Sequence, residues 1–346
     1  MDLDKFEQDV LNKYLKTFKN EYTDDDLLRK YFNYYLDLPD KDDKIEYLLG
    51  RCYFNGIGTE ISLEKAEEYF LRSASQNNYK AQSSVGALYY VQKDYKKAEE
   101  YLLKSVKQNY VCAQYNLGVL YNEIKEFKKA ENFLLKVSDQ NQDNDNKSVI
   151  TDAQSLLGRL YFKCKDYANA RKWFLKAAEG GDAKAQNGLA AMYYNIDKNF
   201  SETEKLLLKS ANQNEVLAQN NLGLIHEINK DYVKAEEWYL KAAELGDANA
   251  QYNLGCLYEF LKTHDKAAYY FKLLENNYEG LNSSIDEKRV GNFYKIQQDF
   301  VQAEVWYAKF NNKKFIGQSD GRYTYTISHP VSHPICHLVP NPFISL

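Results

Sequence analysis

The chain has 346 residues, 45 basic against 49 acidic side chains for a net charge of −4, and a mean hydropathy of −0.65. Lysine and glutamate are interleaved along it without the basic stripe that phosphate neutralisation requires, so nucleic acid is not an expected partner. No apolar run approaches the roughly 18 residues of a membrane span, and the acidic start MDLDKFEQDV is unlike an export signal, so the expectation is a cytoplasmic protein, with the nucleus also open and no membrane attachment.

From the amino terminus, Leu3, Phe6, Val10, Tyr14 and Phe18 share one helical face, and Leu27, Tyr31 and Tyr35 make a second stripe that Pro39 ends. Residues 1–44 are therefore read as a helical cap over the apolar end of an array. The array begins at Ile45. The hexamer AQYNLG at Ala250 recurs in variants starting at Ala81, Ala113, Ala153, Ala185 and Ala218, and a period in the low thirties with two helical segments per unit defines an α-solenoid. Aligning on the small residue of the LG step gives eight units, at Gly50, Gly86, Gly118, Gly158, Ala190, Gly223, Gly255 and Gly291.

The rest of each unit follows that register. A second small residue comes at Ala66, Ala98, Ala130, Ala170, Thr203, Ala235, Ala267 and Ala303, with one slip at Thr203. Four residues later stands a large knob, Phe70, Leu102, Leu134, Phe174, Leu207, Tyr239, Phe271 or Tyr307. Ser62, Asp94, Glu126, Asp166, Asn199, Asp231, Thr263 and Asp299 stand at the starts of the second helices, and all but Glu126 are favoured caps. Asn77, Asn109, Gly181, Asn214 and Gly246 are placed to close them in the left-handed conformation. Gly56–Gly58 forms an extra turn in the first unit, and Gln140–Ser148 is a polar insertion read as a rim loop. The predicted solenoid spans 45–315. From Tyr323 to Leu346 there is no charged residue, and 316–346 is read as a disordered or atypical tail.

The phrase KAEEWYLKAAELGDANAQYNLGCLY closely resembles the consensus of Sel-1-like repeats, relatives of tetratricopeptide repeats, over roughly residues 45–310. The Gly-Asp-Ala-x-Ala-Gln turn is the Sel-1-like feature, and the tetratricopeptide proline is missing. The resemblance implies a right-handed all-α solenoid and an adaptor that holds partner proteins together, as in ubiquitin-ligase and cell-wall-synthase complexes. The paired cysteines of bacterial cysteine-rich members are absent, since Cys52, Cys112, Cys164, Cys256 and Cys336 are odd in number and never adjacent.

Sharper chemistry finds little footing. Ser62 to Lys65 matches S-x-x-K without its companion motifs, and Ser62 is needed as a cap. Gly56-x-Gly58 lacks the third glycine and preceding strand of a dinucleotide site. His329, His333, Cys336 and His337 are zinc-type residues without a second ligand pair. No catalytic residue, cofactor or metal is expected. By analogy with tetratricopeptide repeats, the inner face offers a peptide groove comprising Tyr115, Asn116, Asn122, Arg159, Tyr194, Asn221, Glu227, Tyr252, Asn253 and Glu259. Asn116, Asn221 and Asn253 share one repeat position; they either bond a peptide backbone or bond within the array. The reading is a monomeric, non-enzymatic adaptor for a protein or peptide on the concave face. Two alternatives are the repeat module of a larger signalling or ubiquitin-ligase-associated protein, and an exported β-lactamase-type member, for which an export signal and cysteine pairs are missing.

Overall fold

A computed structural model of the chain describes residues 25–140, 146–277 and 285–319. Among these residues all regular structure is helical. After α1 (Asp25–Leu36), eight helix pairs follow in the expected register. The predicted helix over 3–18 and the His-containing tail lie outside the described residues. The chain divides into two compact units, Met1–Leu160 and Tyr161–Leu346, where the sequence leads one to expect a single array.

The first unit contains α2 (Asp43–Asn55), α3 (Leu63–Ser75), α4 (Tyr79–Val91), α5 (Tyr95–Val106), α6 (Val111–Glu123) and α7 (Phe127–Ser138). Helix α8 (Lys147–Lys163) carries the division at Leu160. Its start shows that the end of the polar insertion is helical, while residues 141–145 lie outside the described set. Leu28, Tyr31, Phe32 and Tyr35 of α1 pack with Leu49, Tyr53 and Phe70 of the first repeat. Gly58 secures this contact: its φ is +69°, and a Cβ there would sit 2.8 Å from the Leu28 carbonyl oxygen.

The second unit contains α9 (Tyr167–Glu179), α10 (Ala183–Met192), α11 (Phe200–Ala211), α12 (Val216–Ile228), α13 (Tyr232–Glu244), α14 (Ala248–Phe260), α15 (His264–Asn276), α16 (Glu287–Ile296) and α17 (Phe300–Ser319). A π turn over Tyr193–Asp197 continues α10 and absorbs the extra residue behind the slip at Thr203. Helix α17 runs to Ser319, beyond Phe310 where the repeat pattern ends.

Within a repeat the two helices cross where the small residue meets the knob. A Cβ on Gly86 would lie 2.6 Å from Leu102 Cγ, and Gly223 and Gly255 are similarly closed by Tyr239 and Phe271. The caps follow the sequence. Ser62, Asp94, Asp166, Asn199, Asp231 and Asp299 each accept from the backbone N–H three residues on. Glu126 and Thr263 do not; the Thr263 hydroxyl donates instead to the Tyr258 carbonyl at 3.2 Å. Asn77, Asn109, Gly181, Asn214 and Gly246 all have φ between 60° and 94°. The first helices end in the same left-handed way at Lys93, Lys125, Lys165, Lys198, Lys230, Lys262 and Gln298.

Candidate protein-interaction face

The first helices of successive repeats present a common face, and in both units it is braced by hydrogen bonds between repeats. In the first unit the Asn116 amide donates to Ser83 Oγ at 3.3 Å. In the second, Asn221 Nδ2 donates to Asn187 Oδ1 and Asn253 Nδ2 to Asn220 Oδ1, both at 2.9 Å. The donor stands two residues before the small residue and the acceptor three before that of the preceding repeat. In the last repeat the donor place is held by Arg289, whose Nε and Nη2 both donate to Glu259 Oε2 at 3.1 and 2.9 Å. The asparagine ladder is thus a tie within the array, the second of the two readings open from sequence.

Burial sorts the expected groove residues. Tyr115, Asn116, Asn122 and Arg159 are half-buried in the first unit. In the second, Asn221 is buried at 4 % exposure and spent on Asn187, which corrects its expected place on the open groove. Tyr194 also lies inside, in a cluster with Leu207 and Leu222, because the π turn carries it there. Glu227, Tyr252, Asn253 and Glu259 are half-buried on the first-helix face. The Tyr252 ring lies 6.3 Å from that of Phe271, and burial raises the pKa of its phenol well above the usual range.

Of these residues Glu227 lines a notch of about 150 Å³ between α12 and α14. Leu224 and Cys256 are among its lining groups, with Cys256 only 6 % exposed and its thiol pushed by burial up to about 12. Ile228 and Phe260 stand exposed at its walls, the latter 62 % accessible, and the Phe260 ring meets Tyr232 at 5.3 Å. Glu227 supplies a carboxylate whose Oε2 accepts from the Tyr239 hydroxyl at 2.8 Å. Among the described residues no cation lies within ion-pair distance of Glu227. Ile228, Phe260, Leu224, Cys256 and Arg289 were missed from sequence, although the register that selected Glu227 and Glu259 also selects them.

A wider opening of about 480 Å³ lies along α13 and α15, lined by Glu236, Tyr258, Lys266, Tyr269 and Tyr270. Three of its polar groups answer one another: Tyr258 donates to Glu236 at 2.5 Å, and Lys266 lies 4.8 Å over the Tyr258 ring and 3.5 Å from Glu236. The same device recurs where Tyr121 donates to Glu99 and Lys129 covers the Tyr121 ring at 4.9 Å. That repetition makes it a brace between repeats. The described residues hold no cluster of histidine, cysteine, aspartate and glutamate suited to a metal, and no helix among them is long and apolar enough to cross a membrane.

The paired helices, the glycine crossings and the inter-repeat ties define a tetratricopeptide-like α-solenoid. Sel1 repeats match at residues 46–78, 84–110, 183–215, 216–247 and 248–274, and tetratricopeptide repeats at 113–144 and 151–179. The chain thus carries Sel1 repeats together with tetratricopeptide repeats. Among solved structures it is similar to a Sel1 repeat protein from Oxalobacter formigenes, at 24 % identity and a TM-score of 0.50 over 63 % of this chain and 96 % of that one. It is also similar to c5321, a protective antigen of uropathogenic Escherichia coli with this fold, at 21 % identity and a TM-score of 0.44 over 92 % and 91 %. No curated protein matches the sequence.

Proposed function

We propose that this protein is a non-enzymatic scaffold that binds a protein or peptide on the first-helix face of its second unit. The observation that carries the reading is the notch between α12 and α14, where Ile228 and Phe260 are exposed beside Glu227 while the surrounding polar groups are tied within the array. Sel1 and tetratricopeptide repeats generally serve protein–protein interaction. Interaction faces combine exposed apolar and aromatic anchors with a polar rim, as here. We place the scaffold in the cytoplasm as a monomer, a setting compatible with the unpaired thiols of Cys52, Cys112, Cys164 and Cys256.

The test is capture from the source cell's lysate on the immobilised full chain, beside an Ile228→Ser/Phe260→Ser variant with the same melting temperature. Both side chains are exposed, so the fold should survive. A partner retained by the native chain and lost from the variant supports the reading. Equal retention by both places the interaction elsewhere.

A further inference from the structure

The chemistry of the notch names its occupant more closely, and the inference rests on the reading of this face as a binding surface. Two charged side chains line the notch, Glu227 and Arg289. Arg289 is paired with Glu259, through two hydrogen bonds to one oxygen. Glu227 is different. One of its oxygens accepts from the neutral Tyr239 hydroxyl, and among the described residues no cation pairs with the carboxylate. Burial and the Glu227 charge together hold Tyr239 protonated, its pKa well above the usual range, so this bond neutralises nothing.

The carboxylate therefore stands uncompensated at the edge of an apolar recess. A carboxylate flanked by low-dielectric walls attracts a cation more strongly than one in open water. The walls suit a long basic side chain in particular. Ile228 offers a surface for a methylene stem, and the rings of Phe260 and Tyr232 offer faces for a cation.

We infer that the notch between α12 and α14 receives a lysine or arginine side chain of a bound peptide, its stem along Ile228 and Phe260 and its charge on Glu227. An acidic side chain would meet Glu227 across a notch whose Arg289 is already paired with Glu259. A purely apolar side chain would bury against the walls but leave the carboxylate unanswered and less hydrated, which costs affinity.

The experiment uses acetylated and amidated hexapeptide pools in which one position is fixed as each amino acid in turn, bound to the immobilised full chain. Pools fixed as Lys or Arg should be retained roughly tenfold above pools fixed as Asp or Glu. Glu227→Gln keeps an acceptor for Tyr239 and should fold normally while losing that preference; Glu227→Lys should reverse it. Phe260→Ala should weaken all pools while keeping their rank. Retention of peptide with no basic preference, or a basic preference that survives Glu227→Gln, overturns the lysine or arginine assignment alone. If the native chain retains no pool at all, the binding face itself is refuted along with it.

Discussion

Gln219 and Leu245 are a mismatched pair. In neighbouring repeats the glutamine that opens the first helix accepts from an amide near the end of the second: Gln82 from Gln108 at 3.0 Å, Gln186 from Gln213 at 2.9 Å, and Gln251 from Asn277 at 3.1 Å. The corresponding donor place for Gln219 is Leu245, which is 55 % exposed, and Gln219 Oε1 is buried without a partner. Leu245→Gln should restore the bond and remove an exposed apolar group. An increase of about 1 kcal/mol is expected, readable as a rise of a few degrees in Tm. An unchanged Tm would show that the orphaned oxygen costs nothing.

Lys230 closes α12 with φ of 61°, a conformation that crowds any Cβ. Lys230→Gly should stabilise by about 0.5–1 kcal/mol and Lys230→Val should destabilise, because only the second adds a branched Cβ to the left-handed site. Urea unfolding of the pair tests the sign. Asp231, the next residue, caps α13 and is untouched by either change.

The helix crossing is less forgiving. Gly255 meets the Phe271 ring with no space for a side-chain carbon. Gly255→Val should cost about 3 kcal/mol by overpacking, a loss visible in thermal unfolding. Phe271→Leu in the same chain should recover part of it, since a smaller knob relieves the clash.

Asp247 caps α14 by accepting from the Ala250 N–H at 2.7 Å, yet burial raises its carboxyl from 3.8 to about 6. A carboxyl whose pKa is higher folded than unfolded favours folding while protonated. That stabilisation is present below pH 4 and fades as pH rises through about 6. Asp247→Asn keeps a capping oxygen without the charge, so at pH 7 the variant should be more stable by on the order of 2 kcal/mol. The difference should vanish near pH 4. Urea midpoints of the two proteins across that range provide the measurement.

Much of this architecture is legible in the sequence because it rests on single residues at a fixed spacing. The capping aspartates act on their own helix, and Gly86, Gly118, Gly223, Gly255 and Gly291 each meet a knob at a fixed 16-residue spacing, so register alone locates them. The left-handed lysines were not foreseen, since lysine carries no turn preference of its own and the repeat geometry imposes the conformation. The slip at Thr203 was visible, but one extra residue can be a loop or a π turn, and only packing decides between them. That choice moved Tyr194 into the core. The candidate face was half legible: register picks out positions on the first helices, but whether Asn221 or Asn253 faces a ligand depends on a bond to a residue 33 or 34 positions away.

Amide hydrogen exchange of the full chain, with and without a peptide selected from the fixed-position pools, probes the binding face most directly. Bound peptide should slow exchange in α12, α14 and α16, strongest around Ile228 and Phe260, and leave α13 and α15 unchanged. Protection confined to α13 and α15, along the Tyr258 and Tyr270 opening, would contradict the assignment and move the interaction surface to the second helices.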